Sequence, residues 1–139
     1  MANTQAVCTS FKSELLNKEH DLNTDTFKIA LYTSSATVNA TTTAYSATNE
    51  VSGTGYTGGG ATLSGGAIAT TGTVAYIDFT DVSWTTASFT ANAALIYNSS
   101  ASNKAVMVIT FGGDQTVVTG TFTIVFPAAD SSNAILRLD

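Results

Sequence analysis

A chain of 139 residues with one histidine and one cysteine has few routes to covalent chemistry. Ser–His or Cys–His catalysis would have to run through His20, since an imidazole is the usual base that activates a hydroxyl or thiol. His20 stands between Glu19 and Asp21 at the expected end of a helix, where the helix dipole and acidic neighbours favour a cation. A structural role outweighs a catalytic one there. One His and one Cys do not make a zinc ligand set, so no metal centre is expected. Asp78 and Asp81 are the best carboxylate pair, a combination that serves glycoside hydrolysis or holds calcium. They fall at a strand end among polar turn residues with no Asp-rich calcium loop around them, the ordinary setting of solvated aspartates. The run Gly53-Thr-Gly-Tyr-Thr-Gly-Gly-Gly60 invites a phosphate loop. It lacks the Gly-Lys-[Ser/Thr] ending, and no helix follows to hold an anion, so a flexible loop is the better account. No catalytic residue and no cofactor is expected.

The tyrosines offer binding rather than reaction. Tyr45, Tyr56, Tyr76 and Tyr97 could stack on sugars or fill the core of an interface. Tyr97 belongs to an apolar strand and is expected inside its own sheet. The candidate contact residues are therefore Tyr45, Val51 and Tyr56, together with Phe11 near the N-terminus.

The elements that must position these residues follow from periodicity. Asn3 or Thr4 can cap a helix, and Val7, Phe11 and Leu15 then recur at i, i+4 and i+8 with Cys8 and Leu16 beside them. That pattern predicts one apolar stripe on a helix of about four turns ending near Asn17 to His20. Glu14 and Lys18 form an i, i+4 pair on its outer face. From Phe27 the period becomes two: Phe27, Ile29 and Leu31 alternate with Lys28, Ala30 and Tyr32, which predicts a strand. A long connection from Ser34 to Gly66, rich in Gly, Ser and Thr, is of the kind that is functional or flexible. Short strands are expected near Ala61–Leu63 and Ile68. Further strands are expected over Val74–Thr80, Val82–Trp84, Ala93–Tyr97, Ala105–Phe111, Thr116–Val118, Thr121–Phe126 and Ala134–Leu138. Gly112-Gly-Asp-Gln115 and Gly120 read as breaks, and Pro127 ends its strand because it donates no ladder bond. Many short strands without intervening helices predict an all-β fold: one domain over 1–139, an antiparallel β-sandwich of jelly-roll or immunoglobulin-like type with a short N-terminal α-helix.

Bulk composition narrows the function. Only 11% of the residues are charged while 44% are apolar, against ~25% charged in an ordinary soluble domain. Hydroxyls and amides must keep such a surface soluble, and it can dock on a neighbour with little ion desolvation. The net charge is −5, and the five basic residues are scattered from Lys12 to Arg137, which speaks against nucleic acid. No apolar run approaches the ~20 residues that span a bilayer, and no basic-then-apolar leader opens the sequence. Cys8 alone makes no intrachain bridge, so a reducing cytoplasm or indifference to redox state is expected. The sequons at Asn39 and Asn98 arise readily by chance in a Thr- and Ser-rich chain.

Four blocks carry a resemblance: Met1-Ala-Asn-Thr-Gln-Ala-Val-Cys-Thr-Ser-Phe-Lys-Ser-Glu-Leu-Leu-Asn17, Asp25-Thr-Phe-Lys-Ile-Ala-Leu-Tyr32, Thr43-Ala-Tyr-Ser-Ala-Thr-Asn-Glu-Val-Ser-Gly-Thr-Gly-Tyr56 and Leu95-Ile-Tyr-Asn-Ser-Ser100. In these the chain resembles a family of small virion structural proteins of tailed bacteriophages. The resemblance implies virion assembly and brings no catalytic motif. Among virion roles, size and composition favour a capsid decoration or cement protein. Such a protein binds the major capsid protein on the capsid surface after synthesis in the host cytoplasm, as a homo-oligomer, dimer or trimer. A tail, fibre or collar component touching host glycans is the alternative, and a cell-wall hydrolase a distant third.

Overall fold

The computed structural model describes residues 3–128 and 130–138. It is all-β and sandwich-like, with two antiparallel sheets and one short helix. In chain order the elements are β1 (Ala6–Val7), α1 (Thr9–Leu16), β2 (Phe27–Tyr32), β3 (Ala61–Thr62), β4 (Ala67–Thr71), β5 (Val74–Asp78), β6 (Val82–Asn98), β7 (Lys104–Ile124) and β8 (Leu136–Leu138). The larger sheet has the order β1-β7-β6-β2-β3 and the smaller β4-β5-β8.

The start of the chain departs from the helix that its spacing predicts. Residues expected in the first turn are held extended instead: the Thr4 amide donates to the Val38 carbonyl and the Cys8 amide to Val106, and Ala6–Val7 pair with Met107–Val108. Asn3, the expected cap, sends its side chain to Thr33, Val38 and Asn92. The helix therefore starts after Cys8 and lasts eight residues. Phe11 is 1% exposed, in the core, whereas Leu16 is 90% exposed rather than beside the apolar stripe. Lys18 lies beyond the helix in a left-handed conformation, φ 66°, so its pairing with Glu14 does not form. Glu14 turns to His20 and Lys104.

β2 forms as its alternation predicts, but both faces are covered: Ala30 and Tyr32 are as buried as Ile29 and Leu31. It is an interior strand between β6 and β3. The C-terminal half holds fewer and longer strands than expected. β6 takes in both Val82–Trp84 and Ala93–Tyr97, and β7 runs through Gly112, Gly113 and Gly120. The glycines act as irregularities within one long hairpin, whose register shifts four times without ending. Bulges bend a ladder and leave a residue unpaired while pairing resumes on either side. The two strands are joined by a turn with Ser102 and Asn103 at positive φ. Phe79 links the sheets, its ring 6.0 Å from Phe27 and 6.2 Å from Phe126.

Candidate functional site

The long connection between β2 and β3 is built around one carboxylate. The connection first passes the start of β7, where Tyr45 and Ala105 exchange backbone bonds with Asn103 and Thr43. It then bridges Tyr32 at Glu50 and Ser88 at Thr54. Glu50 Oε1 accepts the Tyr45 hydroxyl at 2.7 Å. Its Oε2 accepts the Tyr56 hydroxyl at 2.5 Å and the Gly59 amide at 2.8 Å. Tyr56 in turn accepts the Leu31 amide at 2.8 Å. The Gly59 carbonyl takes the Tyr97 hydroxyl at 2.6 Å, and Tyr97 stacks on Tyr45 with centroids 4.8 Å apart. Three donors on one carboxylate, two from side chains and one from backbone, tie residues 45–60 to β2 and β6. Charge-assisted bonds of this kind are the strong ones.

The electrostatics follow from that packing. Burial, reinforced by Glu50, pushes the Tyr45 phenol up to about 12 and raises Tyr56 and Tyr97 as well. Tyr32, which donates to the Ser46 carbonyl at 2.7 Å, is raised by burial too. These phenols stay protonated and act as donors. A general acid or base works best when poised near the operating pH, and every one of these shifts moves a phenol further from it.

The glycine run is neither a phosphate cradle nor a free loop; it lets backbone approach backbone. At Gly55, φ 82°, a Cβ would lie 2.8 Å from Ala87 Cα, and at Gly60, φ 80°, a Cβ would collide with the Ile29 carbonyl. Only glycine supplies both the positive φ and the clearance. The connection thereby lies against β2 and β6.

His20 occupies a second polar junction, with its side chain fully buried. Its Nδ1 lies 3.0 Å from Asn98 Nδ2, which also donates to Asp25 Oδ2 at 2.7 Å. Asn98 Oδ1 accepts the Ser100 amide, fixing the amide orientation. Nδ1 is therefore the acceptor, and Nε2 carries the proton toward Glu14 Oε1 at 3.0 Å. Phe11 packs on the ring at 4.9 Å, and Lys104 pairs with Glu14 and Glu19. Rather than standing exposed at a helix end, the imidazole joins α1 to β6 through both ring nitrogens. Asn98, the second sequon, is completely buried.

The remaining candidates disperse. Asp81 Oδ1 accepts the Phe126 amide at 2.8 Å, tying the start of β6 to the end of β7. Asp78 ends β5 with Oδ1 buried and unpartnered. The two do not share a hydrogen bond, and no group of three or more metal-ligating side chains occurs among the described residues. Cys8 is buried, and burial followed by the nearby Glu14 charge pushes its thiol up to about 11. Of the four candidate contact residues, Phe11 and Val51 lie in the protein's own core. Their apolar surface is already covered, which removes them as contacts for another subunit. Tyr45 and Tyr56 keep some exposure but point their hydroxyls inward to Glu50. Tyr76 is half-buried on β5. Glu50 itself was the residue to find: it is the only charge between Lys28 and Asp78.

Among the described residues, no helix is long and apolar enough to cross a membrane. No family model, no curated protein and no solved structure matches the chain.

Proposed function

We propose that this chain is a structural subunit of a tailed-bacteriophage particle. It is a capsid decoration (cement) protein that binds the assembled shell of the major capsid protein, on the capsid surface, and makes or breaks no bond. It acts as a homo-oligomer. One observation carries the reading: ions are sparse, and the outer stretch of the longest strand exposes none. Glu50, His20 and Asp25 serve hydrogen bonds within the fold, and the exposed positions of β7 from Gln115 to Thr123 carry only Gln, Thr and Val. A surface of hydroxyls and small apolar groups is desolvated cheaply against a neighbour, whereas ions are not. The four sequence blocks that resemble phage virion proteins supply the particle.

The physical task of such a subunit is to bridge neighbouring capsomers against the pressure of packaged DNA. One subunit gripping two capsomers gains from effective concentration even where each contact is modest. A specific contact buries ~1,200 Å² or more. The test is the copy number of this protein relative to the major capsid protein in purified particles. Decoration requires many copies and a loss of particle stability when the protein is missing. Few copies with an adsorption defect would place it in the tail, fibre or collar, and absence from finished particles or turnover of a substrate would end the proposal.

A further inference from the structure

The two long strands of the central hairpin are protected unequally. β6 is covered along its far edge by β2 over Ala93–Asn98 and, further out, by the connection at Thr54–Ser88. The outer edge of β7 is covered at its start by residues 43–45 against Lys104 and Ala105, and then by β1 against Met107 and Val108. Gln5 Oε1 takes the Thr110 amide. Beyond that, among the described residues, no strand lies along the outer edge of β7. An uncovered edge presents backbone donors and acceptors that an extended chain satisfies.

This edge lacks the charges and the proline that ordinarily close one. From Gln115 to Phe126 there is no charged residue, and Pro127 comes only after the strand has ended. The irregularities around Thr119 and Gly120 keep the register of the strand on either side. The register shift between Trp84 and Ala87 is compensated by the one between Ala87 and Phe89, so Trp84 to Phe89 and Phe122 to Val117 advance by the same number of residues. Beside the edge runs a groove of about 580 Å³ whose apolar wall is Ile109, Phe111, Val117, Phe122, Ile124 and Val125. Phe111 and Phe122, 5.8 Å apart, carry the buried aromatic cluster of Trp84 and Phe89 out to the surface. Val118 and Val125 are 77% and 71% exposed.

The geometry points to the outer edge of β7, over Gln115–Ile124, as a strand-addition site for the same edge of a second copy, paired antiparallel about a two-fold axis. Charge selects this occupant. Each copy carries a net −5, so two copies approach most easily where neither has an ion, and this edge has none over its whole length. The side chains are self-complementary as well. Within the hairpin, Thr90 with Thr116 and Ser83 with Thr123 already form cross-strand hydroxyl pairs at 2.9 Å. Thr119, Thr121 and Thr123 of two copies repeat that chemistry across the two-fold. A two-fold pairing also closes, burying the same edge on both partners and leaving none to propagate. This inference deepens the homo-oligomer part of the proposed function and rests on it.

The test is sedimentation of the full chain in dilute buffer, comparing wild type with two double variants at exposed edge positions. These are Val118→Lys with Thr121→Lys, and Val118→Glu with Thr121→Glu. The wild type is expected to dimerise. Each variant, with like charges opposed, is expected to weaken dimerisation at least about tenfold while keeping its circular dichroism spectrum and melting behaviour. An equimolar mixture of the Lys and Glu variants should restore the dimer, and amide exchange over Thr116–Ile124 should slow on dimerisation. A wild type that stays monomeric at every concentration, or a dimer indifferent to both variants, overturns the pairing. Copy number in particles is read separately: a monomer abundant on particles sinks the edge pairing and leaves the decoration role, and a dimer absent from particles does the reverse.

Discussion

Glu50 concentrates the polar energy of the long connection in one carboxylate. Hydrogen bonds to a charged group contribute ~1.5–3 kcal/mol each when a partner is lost. Replacing Glu50 by Gln keeps the shape but removes the charge and turns an amide toward one of the three donors. A loss of about 2 kcal/mol in chemical denaturation is expected, with faster amide exchange across residues 45–60. Unchanged stability and exchange would mean that the glycine contacts alone hold the connection. Cys8 gives a separate prediction. Its thiol rises from an ordinary 9.0 to about 11 on folding, first because it is buried and then because Glu14 is near. Below pH 9 both states hold the proton; between 9 and 11 the unfolded chain releases it while the folded protein keeps it. Folding therefore binds a proton in that window, and stability must fall as pH rises through it. Denaturation curves at pH 8, 10 and 11 should show the decline, with a shallower slope in Cys8→Ala. An identical slope would assign the decline to the tyrosines. A native thiol that reacts with a disulfide reagent at the rate of a free thiol at neutral pH would contradict the burial.

At the scale of elements, the glycine run divides by what lies over each position. Gly60 has φ 80° against the Ile29 carbonyl, whereas Gly58 meets nothing nearer than Glu50 Oε1 at 4.0 Å. Gly60→Ala is expected to lower the melting temperature sharply and Gly58→Ala to leave it nearly unchanged; equal effects would refute the close-approach account. Phe11 decides where the helix belongs. It is 1% exposed and packs on His20, so Phe11→Ala should cost the isolated protein ~3–5 kcal/mol. A near-neutral result would return the helix to a partner. These elements also show what was legible in the sequence. Alternation located β2, β5 and the hydrophobic parts of β6 and β7, because burial on a pleated sheet leaves a period of two. The lengths of β6 and β7 were not legible. Gly112, Gly113 and Gly120 carry the same local signal whether they end a strand or bulge it, and only the partner strand decides. The N-terminal stripe misled for a similar reason. Val7 and Phe11 both point inward, but β7 captures Val7 as a strand before the helix begins. The role of Glu50 depends on Tyr45, Tyr56 and Gly59 meeting around it, and among polar loop residues no periodicity announces that.

For the whole molecule, sparse charge has a consequence that separates this protein from most binding partners. Association driven by opposed charged surfaces weakens as salt rises, since the Debye length falls from ~10 Å at 0.1 M to ~3 Å at 1 M. Here the net charge is −5 from ten acidic and five basic residues. Several of these are already committed: Glu14 and Glu19 to Lys104, Glu50 to the connection. Contacts made through Thr, Val and aromatic side chains and through backbone bonds contain no ion pair for salt to screen. Two copies of the chain, in contrast, repel at long range by their net charge, and salt screens that repulsion. Self-association should therefore hold steady or strengthen modestly as salt is raised, and binding to assembled shells should not fall. Sedimentation of the protein alone, and its co-sedimentation with particles lacking it, measured at low and at high salt, would check both. A tenfold loss of affinity across that range would mean that an ionic surface carries the contact after all, and Lys12, Lys18, Lys28 and Arg137 would be the residues to suspect. Constant or rising affinity would leave an uncharged surface of hydroxyl, aliphatic and aromatic groups as the adhesive, of the kind that β7 exposes from Gln115 to Thr123.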